Sequence, residues 1–399
     1  MKILKYKMFM ESLKEKRIKT KIPLPNDIVE ISNSYIKAGK DIFLVGGAVR
    51  DFIQGKEPKD YDLVTNALPE ESKQILKGFR VSDEQGKNFG VLRVYTKDEP
   101  EGYEISSYRK DISSGRDTKG DDQKVEMGNH ITIYDDCNRR DLTCNALFYD
   151  INSEEIVDIV DGVKDIKNGI IRAVGNAEER FIEDRLRILR IFRFAARTGG
   201  DIDNNTANAI KKDRRLKGIS ETDDVSQERI WEEINKGWKQ ALDFNRYLGF
   251  YTEFDMWNEV FPGSNINTNL IESNSFIVII TNLFKNEEPS RELEIKMIQD
   301  FKIESDTTKK VLFLLSMLNL KPEDVQDMYK RKEQCFIEES TIIEWLKVNS
   351  INDPIKIKFL EYKPTVSSQY LMDKGFKGRE LGLEIKRIEI DSFKKLINT

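Results

Sequence analysis

Two carboxylates, Asp60 and Asp62, stand two residues apart just after Pro58. On a strand that spacing puts both on one face, about 7 Å apart along the chain. Acidic side chains converging at that distance can share divalent ions, the arrangement used in two-metal phosphoryl chemistry. A little upstream the chain reads Leu44-Val45-Gly46-Gly47-Ala48-Val49-Arg50-Asp51. Gly46 and Gly47 permit a tight turn with outward-facing N–H groups. A helix that starts there turns its positive end to the same point, which is a place for phosphate. A Gly-Gly turn or an Asp-x-Asp pair alone is an ordinary loop or strand-edge feature. Together, in this order and within one βαβ-sized window, they are far more specific.

Other residues carry chemistry at a distance along the chain. Glu104, in the strand-like run from Gly102 to Arg109, is either a third carboxylate beside the aspartates or a surface glutamate. The run Asn138-Arg139-Arg140-Asp141-Leu142-Thr143-Cys144-Asn145 sets two arginines and an aspartate before an apolar run, by itself a charged helix start. Arg187, Arg190 and Arg193 recur at spacing three, a slanting row that rises about 9 Å on a helix, roughly the reach of a triphosphate. A solvated cationic face is the plain alternative. Near the end, Gly378 stands among Lys374, Lys377 and Arg379 at a helix start, fitting either a nucleic-acid phosphate or simple helix packing.

The elements that must position these groups follow from periodicity. Residues 41–45 are apolar and β-branched, so strand-like; Gly55 stops the next helix and Pro58 keeps the chain extended. Asn26 to Ala38 reads as a helix ended by Gly39, Pro69 opens another, and strands are expected at 91–96, 102–109, 155–160 and 169–175. Lys110 to Asn129 has almost no apolar residue and reads as a mobile exposed loop. One continuous helix is expected from Ala177 to Arg197, with Ile182, Ile188, Leu189, Ile191, Phe192 and Ala195 on its packed side. Ser226 is a helix N-cap. From Ala241 onward the chain is helical with no recognisable repeat.

Composition sets the frame. With 399 residues, 39% hydrophobic and 34% charged, the chain should form two to four domains with solvated surfaces. No run approaches the ~18 apolar residues of a membrane span, and Met1 to Lys16 lacks the apolar core of a secretion signal. Cys137, Cys144 and Cys335 are few, odd in number and not in metal-ligand spacing, which fits a reducing cytoplasm and argues against structural zinc. His130 is the one histidine, so acid–base work falls to carboxylates, lysine or metal-bound water. A net charge of −5 neither announces nor excludes nucleic acid, since phosphate contacts depend on a local basic patch.

The glycine turn, the aspartate pair, the Arg-Arg-Asp segment and the Glu183-Asp184-Arg185-Leu186-Arg187 run together resemble the class II tRNA nucleotidyltransferases (CCA-adding enzymes) and the related bacterial poly(A) polymerases. The likeness is specific over Leu44 to Glu233 and loose beyond. It implies an α+β chain: a small mixed β-sheet head of DNA polymerase beta-like type (1–160), then an all-helical neck (161–240), body (241–340) and tRNA-binding tail (341–399). It implies CCA addition to the tRNA 3′ end from CTP and ATP. Asp60 and Asp62 would bind Mg²⁺ with Glu104 beside them. Gly46, Gly47, Arg50, Arg190 and Arg193 would hold the triphosphate, and Arg140 and Asp141 would lie near ribose and phosphate. The loop after Lys110 would take part in the C-to-A switch.

Asp184 and Arg187, one helical turn apart, would read the base. Cytosine and adenine both offer an amino donor beside a ring-nitrogen acceptor, whereas uracil and guanine offer the reverse. A carboxylate accepts only and a guanidinium donates only, so this pair matches C or A. Wrong bases leave desolvated polar groups unpaired, which makes the discrimination strong. The alternatives are poly(A), CC-only or A-only addition, and a non-catalytic RNA-binding relic. Residues 83–90 lack the Gly-Arg-Arg-Phe run of the poly(A) branch and favour the CCA branch.

Overall fold

The computed structural model describes residues 15–58, 60–83, 90–111, 125–217 and 225–398. The expected loop at 110–129 and the stretch that separates the poly(A) from the CCA branch lie mostly outside them. What is described of the loop is its two ends, which pair as short strands, Lys110–Asp111 with Val125–Glu126. The chain divides into two compact units, residues 1–225 with 239–243, and 226–238 with 244–399.

The first unit is built on an eight-stranded mixed sheet. Its strands are β1 (Lys16–Lys19), β2 (Ile42–Val45), β3 (Asp62–Thr65), β4 (Arg80–Ser82), β5 (Val91–Tyr95), β6 (Tyr103–Ser107), β9 (Leu147–Asp150) and β10 (Glu155–Asp158); β7 and β8 are the paired loop ends. The order across the sheet is β1-β10-β9-β2-β3-β6-β5-β4, with β3 and β6 parallel and every other pair antiparallel. Alternation explains it: Leu63, Val94, Ile105 and Leu147 bury one face with α1 (Asn26–Lys37). Val45, Val64, Phe148 and Val157 bury the other. Helix α2 (Gly47–Ile53) follows β2 directly, and Gly55, at φ +71°, turns the chain after it, as its sequence requires. Helix α3 (Pro69–Ile75), α4 (Ile133–Asn138) and α5 (Gly162–Asn168) follow. Then come α6 (Ala177–Glu183), α7 (Leu186–Thr198) and α8 (Asn204–Lys212).

The second unit is all helical. It opens with α9 (Gln227–Gln240), capped by the Ser226 hydroxyl at 3.4 Å from the Arg229 N–H, and ends in α10 (Gly378–Ile397) after a series of shorter helices. Aromatic rings from Trp231 to Phe301 pack in a run, with centroids 5.1–6.3 Å apart. No described helix is long and apolar enough to cross a membrane. The three cysteines are buried and unpaired.

Gly237 shows how tight this packing is. A Cβ there would lie 2.1 Å from a ring carbon of Tyr247. That ring cannot swing aside freely, because its hydroxyl donates to the Glu233 carbonyl at 3.0 Å and accepts from Tyr251 at 2.5 Å. Gly237→Ala is expected to destabilise the helical unit by about 2 kcal/mol, the usual cost of overpacking. Thermal unfolding followed by tryptophan fluorescence checks this, and an unchanged midpoint would mean the ring yields without loss.

Candidate active site

The sheet register builds the acidic half of the site. Asp62 pairs with Val45 across β2 and β3, so it stands beside the strand end from which the Gly46-Gly47 turn departs. Leu63 pairs with Ile105 on parallel β6, which sets Asp62 at the level of Glu104; Glu104 in turn pairs with Arg93 on β5. The Arg93 guanidinium donates a hydrogen bond to the Glu104 carboxylate. Strand β3 begins at Asp62, so Asp60 lies in the segment leading into it, and the two carboxylates do not occupy two positions of one strand as the spacing suggested.

Asp62 reaches solvent, yet the protein around it strips much of its hydration. Burial and the Glu104 charge push its pKa up to about 6; Asp60 adds to the rise, and Arg140 and Arg93 restrain it. Among the described residues no three acidic, histidine or cysteine side chains converge in a ready-made cage. The oxygen donors of Asp60 and Asp62 nevertheless suit Mg²⁺, which binds one or two carboxylates and completes its shell with water and substrate phosphate. The mutual repulsion around Asp62 is what a cation there would relieve.

The cationic half is anchored by carboxylates, Asp136 fully buried and Asp51 and Asp141 partly so. Gly46 has φ +69°, which favours glycine, and a Cβ there would lie 3.9 Å from Arg140 Nη1; one at Gly47 would lie 3.6 Å from Arg50 Nη2. Arg50 is buried, donating to Asn145 Oδ1 at 2.5 Å and to Asp51 Oδ1 at 2.7 Å. Arg140 donates to Asp136 Oδ2 at 2.9 Å and lies over the Phe148 ring at 5.0 Å. Arg190 donates twice to Asp141, at 2.8 and 2.5 Å. Burial works to raise the pKa of Asp136, but Arg139 and Arg140 outweigh it and hold the group below its ordinary value. Asp141 is lowered in the same way, burial being overcome by Arg190 and Arg187.

The expected single helix over 177–197 is two helices. The break falls at Asp184, whose backbone is extended at φ −151° and ψ 105°. The Asp184 carboxylate accepts from the Leu186 N–H at 3.1 Å and its carbonyl from the Arg187 N–H at 3.1 Å, so it caps α7. Asp184 and Arg187 therefore stand at a helix start, not along one continuous helix. Ile182, expected on the packed side, is 64% exposed. Nor is the arginine row a solvated face. Arg187 is buried and donates to Glu183 at 2.8 Å and to the carbonyls of Arg180 and Arg139 at 3.2 and 3.1 Å. Arg193 is buried and donates to Gln240 at 2.7 Å.

Four arginines converge on one aromatic ring. The guanidinium carbons of Arg50, Arg190, Arg193 and Arg197 lie 5.6, 6.0, 4.7 and 6.0 Å from the centroid of a single ring, Phe194. Helical spacing of four and three (Arg190, Phe194, Arg197) was a legible signal for part of this cluster; the arrival of Arg50 from α2 was not. Asp60 and Arg197 interact electrostatically, as do Asp62 and Arg140, so the acidic and cationic halves adjoin. The tail residues lie on the second unit: Lys374, Lys377, Gly378 and Arg379 are exposed, Gly378 has φ +52°, and the Lys374 ammonium lies 4.3 Å from the Tyr370 ring.

The raised pKa of Asp62 has a measurable consequence. Between about pH 4 and pH 6 the folded protein keeps a proton on Asp62 that the unfolded chain releases. The folded form then binds more protons, so stability falls as pH rises through that window. Asp62→Asn should abolish this step, which solvent screening limits to about 1 kcal/mol. Urea unfolding of both proteins at pH 4 and pH 7, without metal, checks it; parallel pH dependence in the two would show that Asp62 ionises normally.

Residues 42–172 match the poly A polymerase head domain. The chain is 33% identical over 232 residues to poly(A) polymerase I of Escherichia coli O6:H1, and 41% identical over 211 residues to the CCA-adding enzyme of Ligilactobacillus salivarius. These alignments cover 57% and 52% of this chain, and it spans about half the length of those relatives, 48% of each. A CCA-adding enzyme of Lactococcus lactis subsp. lactis aligns nearly end to end, 29% identical over 92% of this chain and 93% of the relative. Among solved structures, the Bacillus stearothermophilus CCA-adding enzyme in complex with CTP superposes with a TM-score of 0.62 at 21% identity, covering 94% of this chain and 92% of that one. The fold of a mixed-sheet head followed by helices is thus shared along the chain. Head domain and relatives point the same way: residues 42–172 match the poly A polymerase head domain, and most of the chain's length is similar to CCA-adding enzymes.

Proposed function

We propose that this chain adds nucleotides to the 3′ end of tRNA without a nucleic-acid template, building CCA from CTP and ATP and releasing pyrophosphate. The observation that carries the reading is the adjacency of the two charged halves. Asp60 and Asp62 adjoin the arginines gathered at Phe194 and at the glycine turn. A metal-bound triphosphate needs both kinds of charge in one place. The near end-to-end match to the Lactococcus lactis CCA-adding enzyme supports CCA as the product.

In this reading Asp60 and Asp62 hold Mg²⁺, with Glu104 next to them. Bound Mg²⁺ supplies a lowered pKa for the primer 3′-hydroxyl and neutralises charge on the leaving pyrophosphate. Gly46 and Gly47 keep the turn free of side chains so that the triphosphate can approach, and Arg50, Arg190 and Arg193 bind it. Arg140 and Asp141 lie by the ribose and phosphate, Arg140 fixed by Asp136 and Asp141 itself fixing Arg190. Asp184 and Arg187, at the start of α7, read the base edge in this reading. Lys374, Lys377 and Arg379, at the glycine turn before the last helix, contact tRNA phosphates. The division into head (1–160), neck (161–240), body (241–340) and tail (341–399), and a cytoplasmic location, belong to the same proposal.

A second reading, poly(A) synthesis, is favoured by the 33% identity to poly(A) polymerase I over the first part of the chain. One experiment separates them. Given tRNA ending before CCA, Mg²⁺ and the four nucleotides singly and mixed, the chain should add C, C and A and stop. A long A tail would replace the first reading by the second, and retained RNA binding without product would indicate a relic. Asp60→Ala should abolish incorporation while CTP binding survives in part, as measured by calorimetry; normal turnover in that variant would remove Asp60 from the metal site.

A further inference from the structure

We propose that Arg197 is a further triphosphate-binding residue, one that grips the terminal phosphates of the incoming nucleotide and the pyrophosphate that departs. The proposal rests on reading this site as a nucleoside triphosphate site.

Position is the first argument. Arg197 shares the Phe194 ring with Arg50, Arg190 and Arg193, and it is the member of that group nearest the end of α7. Partnership is the second. Arg50 and Arg190 hold carboxylates at 2.7 and 2.5 Å, and Arg193 holds the Gln240 amide at 2.7 Å. Arg197 reaches Asp51 Oδ2 only at 4.0 Å, beyond hydrogen-bonding distance, while the other oxygen of that carboxylate is engaged by Arg50. One aspartate thus serves two guanidinium groups, and Arg197 has the weaker share. Access is the third: the Arg197 side chain is 36% exposed, whereas that of Arg50 is 4% exposed. A group that is charged, accessible and under-partnered, amid like charges, is one that an incoming polyanion would engage.

The neighbourhood says which part of the polyanion. Arg197 is repelled by Arg50 and Arg193 and attracted by Asp51 and Asp60. Asp60 is the carboxylate assigned to the metal, so Arg197, one of the arginines at Phe194, also feels the charge of the metal side. In nucleotidyl transfer the primer 3′-oxygen bonds to the α-phosphorus. The bond from that phosphorus to its bridging oxygen breaks, pyrophosphate leaves with the electron pair, and the hydroxyl proton passes to water. Negative charge grows on the pyrophosphate, and a guanidinium there stabilises the transition state. The plain alternative is that Arg197 only balances the C-terminal end of α7.

Calorimetry of the full chain with CTP, CMP and pyrophosphate tests this, using Arg197→Ala and Arg197→Lys. Arg197→Ala should weaken CTP and pyrophosphate by about tenfold or more while CMP shifts less than about twofold, as loss of a charge-assisted contact to phosphate requires. Arg197→Lys keeps the charge at the helix end but not the fork, and should show a smaller loss of the same kind. CTP and pyrophosphate bound as tightly as by the parent in the lysine and alanine variants would overturn the proposal. So would CMP falling in step with CTP in both, which would mark a residue that only supports the fold. If the alanine variant does not fold, the lysine variant is judged by the same two criteria. The underlying reading fails separately, if the parent itself binds CTP no more tightly than CMP.

Discussion

Like charges have to be held together against their repulsion, and much of the first unit is arranged to do this. Two guanidinium groups roughly 8 Å apart repel by about 2 kcal/mol at an effective dielectric of about 20. Four guanidinium groups gather around Phe194, each within 6.0 Å of its ring centroid. The opposing force comes from carboxylates placed behind the arginines: Asp51 behind Arg50, Asp136 behind Arg139 and Arg140, and Asp141 behind Arg190. Asp136 and Asp141 stay ionised despite burial because those arginines are there. The pairs are thus mutual: each carboxylate fixes a guanidinium fork in one orientation, and each fork keeps a carboxylate charged. The aromatic ring adds a surface on which the cations can lie.

The acidic side obeys the opposite rule. Asp62 has like charges as neighbours in Glu104 and Asp60, and burial together with them outweighs the restraint of Arg140 and Arg93. The sheet imposes this through register alone, since the level of Asp62 on β3 is that of Glu104 on β6. One half of the site is overfull with positive charge and the other with negative. A ligand that brings a cation to the second and an anion to the first relieves both at once, which is the physical sense in which a metal-bound nucleotide fits.

Much of this was legible in the sequence, for identifiable reasons. The β2 strand, the Gly46 turn and the end of α2 at Gly55 were readable because glycine conformations and β-branched runs are local properties. The N-terminal helix ended at Gly39, and Ser226 capped its helix, for the same reason. Sheet order was not readable, because β9 and β10 come to lie between β1 and β2 only through contacts distant in sequence. The burial of Arg187 and Arg193 was hidden too: helical periodicity counts arginine as a solvent-facing residue, and only the tertiary partners Glu183 and Gln240 make burial tolerable.

The helix break at Asp184 shows the limit most sharply. Residues 177–197 contain no glycine or proline, and their apolar spacing fits one helix, so propensity alone predicts continuity. What interrupts it is capping. Asp184 competes with the helical ladder by binding the Leu186 N–H, as short carboxylate side chains do at N-caps. The same break lets Arg187 reach back to the carbonyls of Arg180 and Arg139, so that the segment after α6 is tied to the Arg139-Arg140 turn. A straight helix would present Asp184 and Arg187 on a surface free to rotate with its packing. The break instead fixes Asp184 through the backbone of its own turn and Arg187 through the carbonyls of Arg180 and Arg139, so neither side chain depends on helix packing alone for its orientation.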